Sequence, residues 1–238
     1  EVLRRLAREM AAIVEKRTGQ RLGRTEVIAK LSVALAEQLD LDPDYLVEAV
    51  YLRDIGMLAL TEATLPGVPQ PTHDLGSLTR EHALASFEVL SRVRLPSVCL
   101  EVARHHHENY DGSGVPDGIK SDDIPIMARI VRLVEAYITM TTPRNGDVPV
   151  PSPVALGQLS RDAGRMYDPN ITNTSLRIIR AQGVTPEQET LSVIAHELRT
   201  PLTFLMGFSE LLAARQDLPS QAKEMATELH NQTEQMVL

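Results

Sequence analysis

Leu191-Ser192-Val193-Ile194-Ala195-His196-Glu197-Leu198-Arg199-Thr200-Pro201 is the stretch on which the reading of the fold turns. Leu191, Leu198, Leu205 and Leu212 recur every seven residues, with Ile194 and Phe208 between them. An a/d stripe held over about three heptads is the pattern of a helix that packs on other helices or on its own copy. With Leu191 at position a, Ile194 falls at d and His196 at f, facing away from the seam. The stripe therefore predicts a bundle helix that holds a histidine outward, beside a carboxylate.

The residue types suit phosphoryl capture. A neutral imidazole, with an ordinary pKa of ~6.5, carries a nucleophilic nitrogen at physiological pH. Glu197 can accept the other ring proton as that nitrogen attacks. Thr200 lies one turn on, on the same side, where it can orient a water. Pro201 removes the bond its N–H would give to the Glu197 carbonyl, so a bend is expected just after the histidine. Spacing alone leaves a second reading open, a surface histidine on a dimerisation helix with an incidental His-Glu pair.

The run Ser192–Leu202, with Gly207-Phe208-Ser209-Glu210-Leu211-Leu212 after it, closely resembles the H-box helix of bacterial sensor histidine kinases. The resemblance covers about residues 185–238. It implies a helical hairpin whose two copies form a dimeric four-helix bundle. It further implies His196 as phospho-acceptor, Glu197 as acid/base, and Thr200 as the residue used when a response regulator is dephosphorylated.

The chain has 238 residues, 43% of them hydrophobic and 24% charged, ordinary values for globular protein. Its formal charge of −8 argues against nucleic acid or an anionic membrane as main partner. A lone cysteine, Cys99, cannot make an internal disulfide, which points to a reducing compartment. No apolar run approaches the ~18 residues of a membrane span, and no signal-peptide h-region opens the chain. The expected location is cytoplasmic. Because the chain begins and ends inside helical patterns, a longer parent protein is expected. Aromatic residues are only 3% and alternating patterns are scarce, so the chain reads as all-α.

Helical spacing predicts helices over residues 2–16 and Thr25–Leu39, and a third opened by Asp42-Pro43 and ended near Gly56. Residues 63–78 hold three prolines and two glycines and read as loop, with Thr79 capping the next helix. Pro96 opens another, which reaches His105-His106-His107-Glu108. A turn-rich loop covers 109–118, and helices are expected over 125–141, from Ser152-Pro153, and over 171–181. Gly183 and the capping box Thr185-Pro186-Glu187-Gln188 mark the domain boundary, giving domains 1–183 and 184–238. Gln216–Ser220 is the hairpin turn. Ala222, Met225, Leu229 and Met236 stripe the returning helix.

Asp54, His82, His106 and His107 are ligand types for a first-row divalent ion. Adjacent helical histidines diverge by ~100°, so His106 and His107 can serve one site only near a helix end or across two ions. From spacing alone the run reads as a solvated histidine-rich helix terminus, favoured by the C-terminal dipole.

The order of elements adds a second resemblance. Leu52-Arg53-Asp54-Ile55-Gly56, then His82, then His106-His107-Glu108 with Asp111-Gly112-Ser113-Gly114-Val115-Pro116, resembles the HD-GYP family over about residues 20–180. That family comprises helical, metal-dependent cyclic di-GMP phosphodiesterases. The departures are specific. The family's first ligand histidine falls at Arg24, the histidine of its His-Asp pair at Arg53, and the following lysine at Met57. Its late metal-binding aspartate is Glu135, and its Gly-Tyr-Pro tyrosine is Val115. The resemblance implies half of a two-metal site, with Asp54, His82, His106, His107 and Glu135 as vestigial ligands. It leaves a single residual divalent ion open.

The expectation is therefore a fragment of a two-component kinase: an inactive HD-GYP-like input domain joined to a phospho-acceptor hairpin. The hairpin, residues 186–238, would dimerise. ATP and Mg would bind in a further domain beyond Leu238, and a response regulator would receive the phosphate. Cyclic di-GMP or another small ligand would be the candidate input. The alternatives are a residual metal-dependent cyclic dinucleotide phosphodiesterase and a purely structural dimerisation scaffold.

Overall fold

A computed structural model describes residues 2–60, 75–142 and 148–181, together with Met225. The chain divides into two compact units, Glu1–Gln182 and Gly183–Leu238. Apart from Met225, the second unit lies outside the described residues, and with it His196, Glu197, Thr200, the leucine stripe and the hairpin. Everything below concerns the first unit.

Its described residues form eight α-helices: α1 Val2–Arg17, α2 Arg24–Gln38, α3 Leu46–Leu52, α4 Leu75–Ser91, α5 Ser97–His105, α6 Ile126–Thr141, α7 Ser152–Arg161 and α8 Pro169–Ala181. A 3-10 turn, Ile55–Leu58, follows α3. Among the described residues there is no β-strand, only an isolated bridge between Ala163 and Tyr167. The all-α expectation is met. No described helix is long and apolar enough to cross a membrane.

Apolar spacing fixes the inward faces only in part: Val14, Ile28 and Leu35 are buried as their spacing predicts, whereas Val2, Leu6, Ile13 and Val27 stay exposed. In α1 the small side chains Ala7 and Ala11 are buried one turn apart, followed by Val14. This lets the helix come close to α3, which also packs on α2 and α5. Ile28, Leu46, Val50, Val102, Ile130 and Leu133 form the centre of the core. Basic Lys16 and Arg17 occupy the last turn of α1, where they complement the helix dipole.

Helix ends depart from expectation, each for a local reason. Asp42 accepts the Asp44 N–H through Oδ1 at 3.0 Å, so Asp42-Pro43 forms a turn; α3 starts only at Leu46, after Tyr45 at φ 60°. Thr79 is no cap. α4 already runs from Leu75, so the last four residues of the expected 63–78 loop are helical. Helix α8 begins at Pro169, because Asp168 Oδ1 accepts the N–H groups of Asn170 and Ile171 at 2.7 and 3.2 Å.

The start of α2 is capped from outside. No local side chain serves. Instead Glu15, buried on α1, accepts the Gly23 N–H through Oε2 (2.8 Å) and the Thr25 N–H through Oε1 (2.6 Å). That places Arg24, the first residue of α2, against α6.

Candidate metal centre

Asp54, just past α3 and at the head of the 3-10 turn, faces His82 of α4 across Gly56. The Gly56 N–H donates to Ser86 Oγ at 2.8 Å, and a Cβ at residue 56 would run into the His82 carbonyl. Glycine is thus what lets the α4 backbone come this close. The α5 helix ends at His105, with His106 in the C-cap position. The chain turns there, and His106 and His107 swing to the same side. His106 and Glu108 are buried, His105 and His107 half-buried, and His82 is almost fully removed from solvent. The reading of the run as a solvated helix terminus does not hold.

Asp54, His82, His106 and His107 each bring one ligand atom within 4.8 Å of the others. Asp54 Oδ1 lies 3.4 Å from Nε2 of both His82 and His106. His82 Nε2 is 3.0 Å from His107 Nε2 and 3.4 Å from His106 Nε2. The far ring nitrogens explain the crowding. His82 Nδ1 donates to the Leu78 carbonyl at 3.0 Å, and His106 Nδ1 to the Val102 carbonyl at 2.8 Å. A carbonyl can only accept, so both Nδ1 atoms are protonated, and neutral rings turn lone pairs inward at Nε2. Converging lone pairs need a cation among them, either a proton or a metal ion. Three imidazole nitrogens and a carboxylate oxygen, with the His82 and His106 tautomers fixed by backbone carbonyls, are a donor set that fits a borderline divalent ion.

The charges around this set are strongly coupled. Burial works against the Asp54 carboxylate, but the Arg53 guanidinium and the ring nitrogens of His106 and His82 outweigh it and hold Asp54 well below its ordinary range. Burial also opposes a charged His82, yet Asp54 more than offsets this and the imidazole is raised. Burial, then its neighbour His106, pushes His107 far down, leaving it a neutral donor.

Beside the cluster stand the two arginines. Arg53, with 0% of its surface exposed, donates through Nη1 to the Val50 carbonyl at 2.7 Å. Its Nη2 lies 3.0 Å from Asp54 Oδ2 and 3.3 Å from Glu135 Oε1. Arg24 Nη1 approaches the same Glu135 oxygen at 3.5 Å, while Nη2 donates to Thr139 Oγ1 at 2.7 Å. Glu135 is lowered to about 2: burial opposes ionisation, and the Arg53 guanidinium overcomes it. Of the five vestigial ligands read from the sequence, four come together; Glu135 is held by guanidinium groups instead.

The comparisons agree with this architecture. Residues 8–171 match the family model of the HD domain. The chain belongs to the HD domain family. Residues 187–238 match the model of the His Kinase A (phospho-acceptor) domain. A cyclic di-GMP phosphodiesterase of Thermotoga maritima is 30% identical over 161 residues, covering 65% of this chain and 43% of that protein. A cyclic di-GMP phosphodiesterase response regulator, RpfG of Xanthomonas campestris pv. campestris, is 32% identical over 182 residues, covering 74% and 47%. The chain thus spans less than half the length of either relative. Among solved structures, a cyclic GMP-AMP specific phosphodiesterase of Vibrio cholerae superposes with a TM-score of 0.60 at 14% identity, covering 98% of this chain and 70% of that one. An HDG"Y"P protein of Bdellovibrio bacteriovorus gives 0.51 at 20% identity, covering 66% and 51%. These two likenesses concern the fold.

Within the HD domain, sequence reasoning missed the supports of the centre. The Leu78 carbonyl that orients His82 lies in a turn of α4 that had read as loop. Glu15, which holds Arg24 in place, acts through backbone groups and has no motif. His105, Glu108 and Asp117 form a second group of ligand types, which no sequence motif marks because Asp117 joins it only through the fold of the following loop.

Proposed function

We propose that the chain is a signal-transducing part of a two-component sensor histidine kinase, in which the HD domain regulates and His196 carries phosphate. The match over 187–238 supports the second half, since it spans His196, Glu197 and Thr200. An imidazole nitrogen of His196 attacks the γ-phosphorus of ATP held by a separate Mg-dependent domain. An N–P bond forms, the bond to the bridging oxygen breaks, and ADP leaves. Glu197 accepts the other ring proton. The phosphoryl group then passes to an aspartate of a response regulator, and Thr200 positions water for the reverse, dephosphorylating function. Residues 186–238 dimerise two copies.

The observation that carries the regulatory reading is the Arg53 guanidinium lying on both Asp54 and Glu135. Two-metal hydrolysis holds its ions ~3.5–4 Å apart around a shared, activated oxygen. Arginine stays protonated and offers no lone pair, so Arg53 and Arg24 supply positive charge where the relatives' family would place ligands. The domain then keeps one ion at most on Asp54, His82, His106 and His107 and does not cleave cyclic dinucleotides. Such an ion would supply a fixed positive charge for an anionic ligand, and the arginines neutralise Asp54 and Glu135 beside it. Binding there would bias the kinase between its phosphorylating and dephosphorylating outputs.

The test pairs two assays on the parent protein. Phosphate from ATP should label the wild type and not His196→Gln, and cyclic di-GMP should survive incubation with either. Labelling of the mutant would place the acceptor elsewhere. Hydrolysis that disappears with His82→Ala would favour a second reading, a one-metal phosphodiesterase, which the intact four-ligand cluster supports.

A further inference from the structure

His105-His106-His107-Glu108 faces two ways. His106 and His107 turn to Asp54 and His82. His105, the last residue of α5, and Glu108, just past the turn that follows, meet Asp117 from the following loop. One ligand atom from each of these three lies within 4.8 Å of the others. Glu108 is only 2% exposed. Its Oε1 accepts the N–H groups of Asp117 (2.7 Å) and Gly118 (3.1 Å), while Oε2 is buried with no hydrogen-bond partner. His105 Nδ1 is likewise buried without a hydrogen bond, 3.5 Å from Asp117 Oδ2. Two orphaned polar atoms in one three-residue group are an unusual expense in a folded interior. A cation accepting their lone pairs would remove it.

We propose that His105, Glu108 and Asp117 form a second site for a borderline divalent ion, distinct from the Asp54–His82–His106–His107 centre. One imidazole and two carboxylates are ligands for zinc, cobalt or manganese alike. Asp117 is oriented for the role by Arg104, which donates to its Oδ2 and Oδ1 at 2.7 and 2.8 Å and packs over the Phe87 ring at 4.7 Å. With an ion bound, Arg104 keeps Oδ1 as an outer partner and yields Oδ2. The Asp117 side chain is 29% exposed, so the ion enters from solvent and retains water on its open side. The site would tie the end of α5 to the Asp117-Gly118 turn, one residue from the ligands of the first centre. The inference stands apart from the regulatory reading and does not need the first centre to be filled.

Cobalt(II) titration of the full chain, followed by visible absorption and by elemental analysis after dialysis, tests it. Two ions per chain are expected in the wild type. His105→Ala and Glu108→Gln should each retain one, as should His82→Ala, and His82→Ala with His105→Ala none. Glu108→Gln keeps an Oε1 acceptor for the loop, and far-ultraviolet circular dichroism checks that each variant is folded. Asp117→Asn, on the partly exposed rim, should weaken the second ion at least 10-fold. One ion that is lost with His82→Ala and kept in His105→Ala would overturn this site and leave the first centre standing. One ion lost only with His105→Ala and Glu108→Gln would support this site and overturn the first. No ion in the wild type would overturn both.

Discussion

Arg53 and its chain neighbour Asp54 form a buried ion pair, Nη2 to Oδ2 at 3.0 Å, while the other oxygen of the same carboxylate faces His82 and His106 at 3.4 Å. One side chain is thus divided between a guanidinium and a histidine cluster. The division would make the domain's stability and the binding of an ion at the proposed centre depend on each other.

Removing one member of a buried ion network strands the rest. Arg53→Ala leaves Asp54 without its main counter-charge and Glu135 with Arg24 alone, and should cost about 3–5 kcal/mol. Urea unfolding of wild type and variant measures this. A loss below about 1 kcal/mol would mean that the network contributes little.

If the arginines stand where ligands would otherwise be, restoring imidazoles should restore binding capacity. Arg24→His with Arg53→His is expected to raise the ion content of the Asp54–Glu135 region by one per chain. Elemental analysis of purified protein decides it, and an unchanged count would show that more than the two arginines has been altered.

Acid should unpick the same network. Glu135, lowered to about 2 in the fold against 4.5 ordinarily, adds stability that is fully present above the ordinary value and lost as pH falls toward the lowered one. Urea midpoints of the metal-free protein should therefore drop through that window. In Glu135→Gln the drop should be shallower, although the variant starts less stable at neutral pH. Parallel profiles would contradict the pairing.

Gly56→Ala drives a methyl group into the His82 carbonyl and the Ser86 N–H. The α4 helix must back away from Asp54. We expect about 1–3 kcal/mol of destabilisation, as for overpacked cores, together with weaker ion binding by calorimetry. Ion binding unchanged in a folded variant would show that the close approach does not set the site.

Much of the helical framework was legible because apolar spacing is local. Ile130, Leu133 and Val134 of α6 lie on one face of a 3.6-residue repeat, and they are buried. The ligand types Asp54, His82, His106 and His107 were legible as types, but their burial was not, since it depends on where α5 ends. The pairing of Arg24 and Arg53 with Glu135 spans long stretches of chain, and only the assembled core brings them together. Helix ends were least legible. Asp42 folded back on Asp44, and Leu75–Leu78 went helical despite Gly76 and the prolines before it.

Glu15 also determines how far the domain can be trimmed. Its carboxylate holds the Gly23 and Thr25 N–H groups, and Arg24 sits between them with its guanidinium toward Glu135. A shortened chain that begins at Gly23 would keep every candidate ligand of both proposed ion sites, yet it would free the first turn of α2 to fray and release Arg24 from its post. The smallest piece that preserves the arginine pair must therefore start upstream of Glu15, on a helix that contributes no ligand of its own.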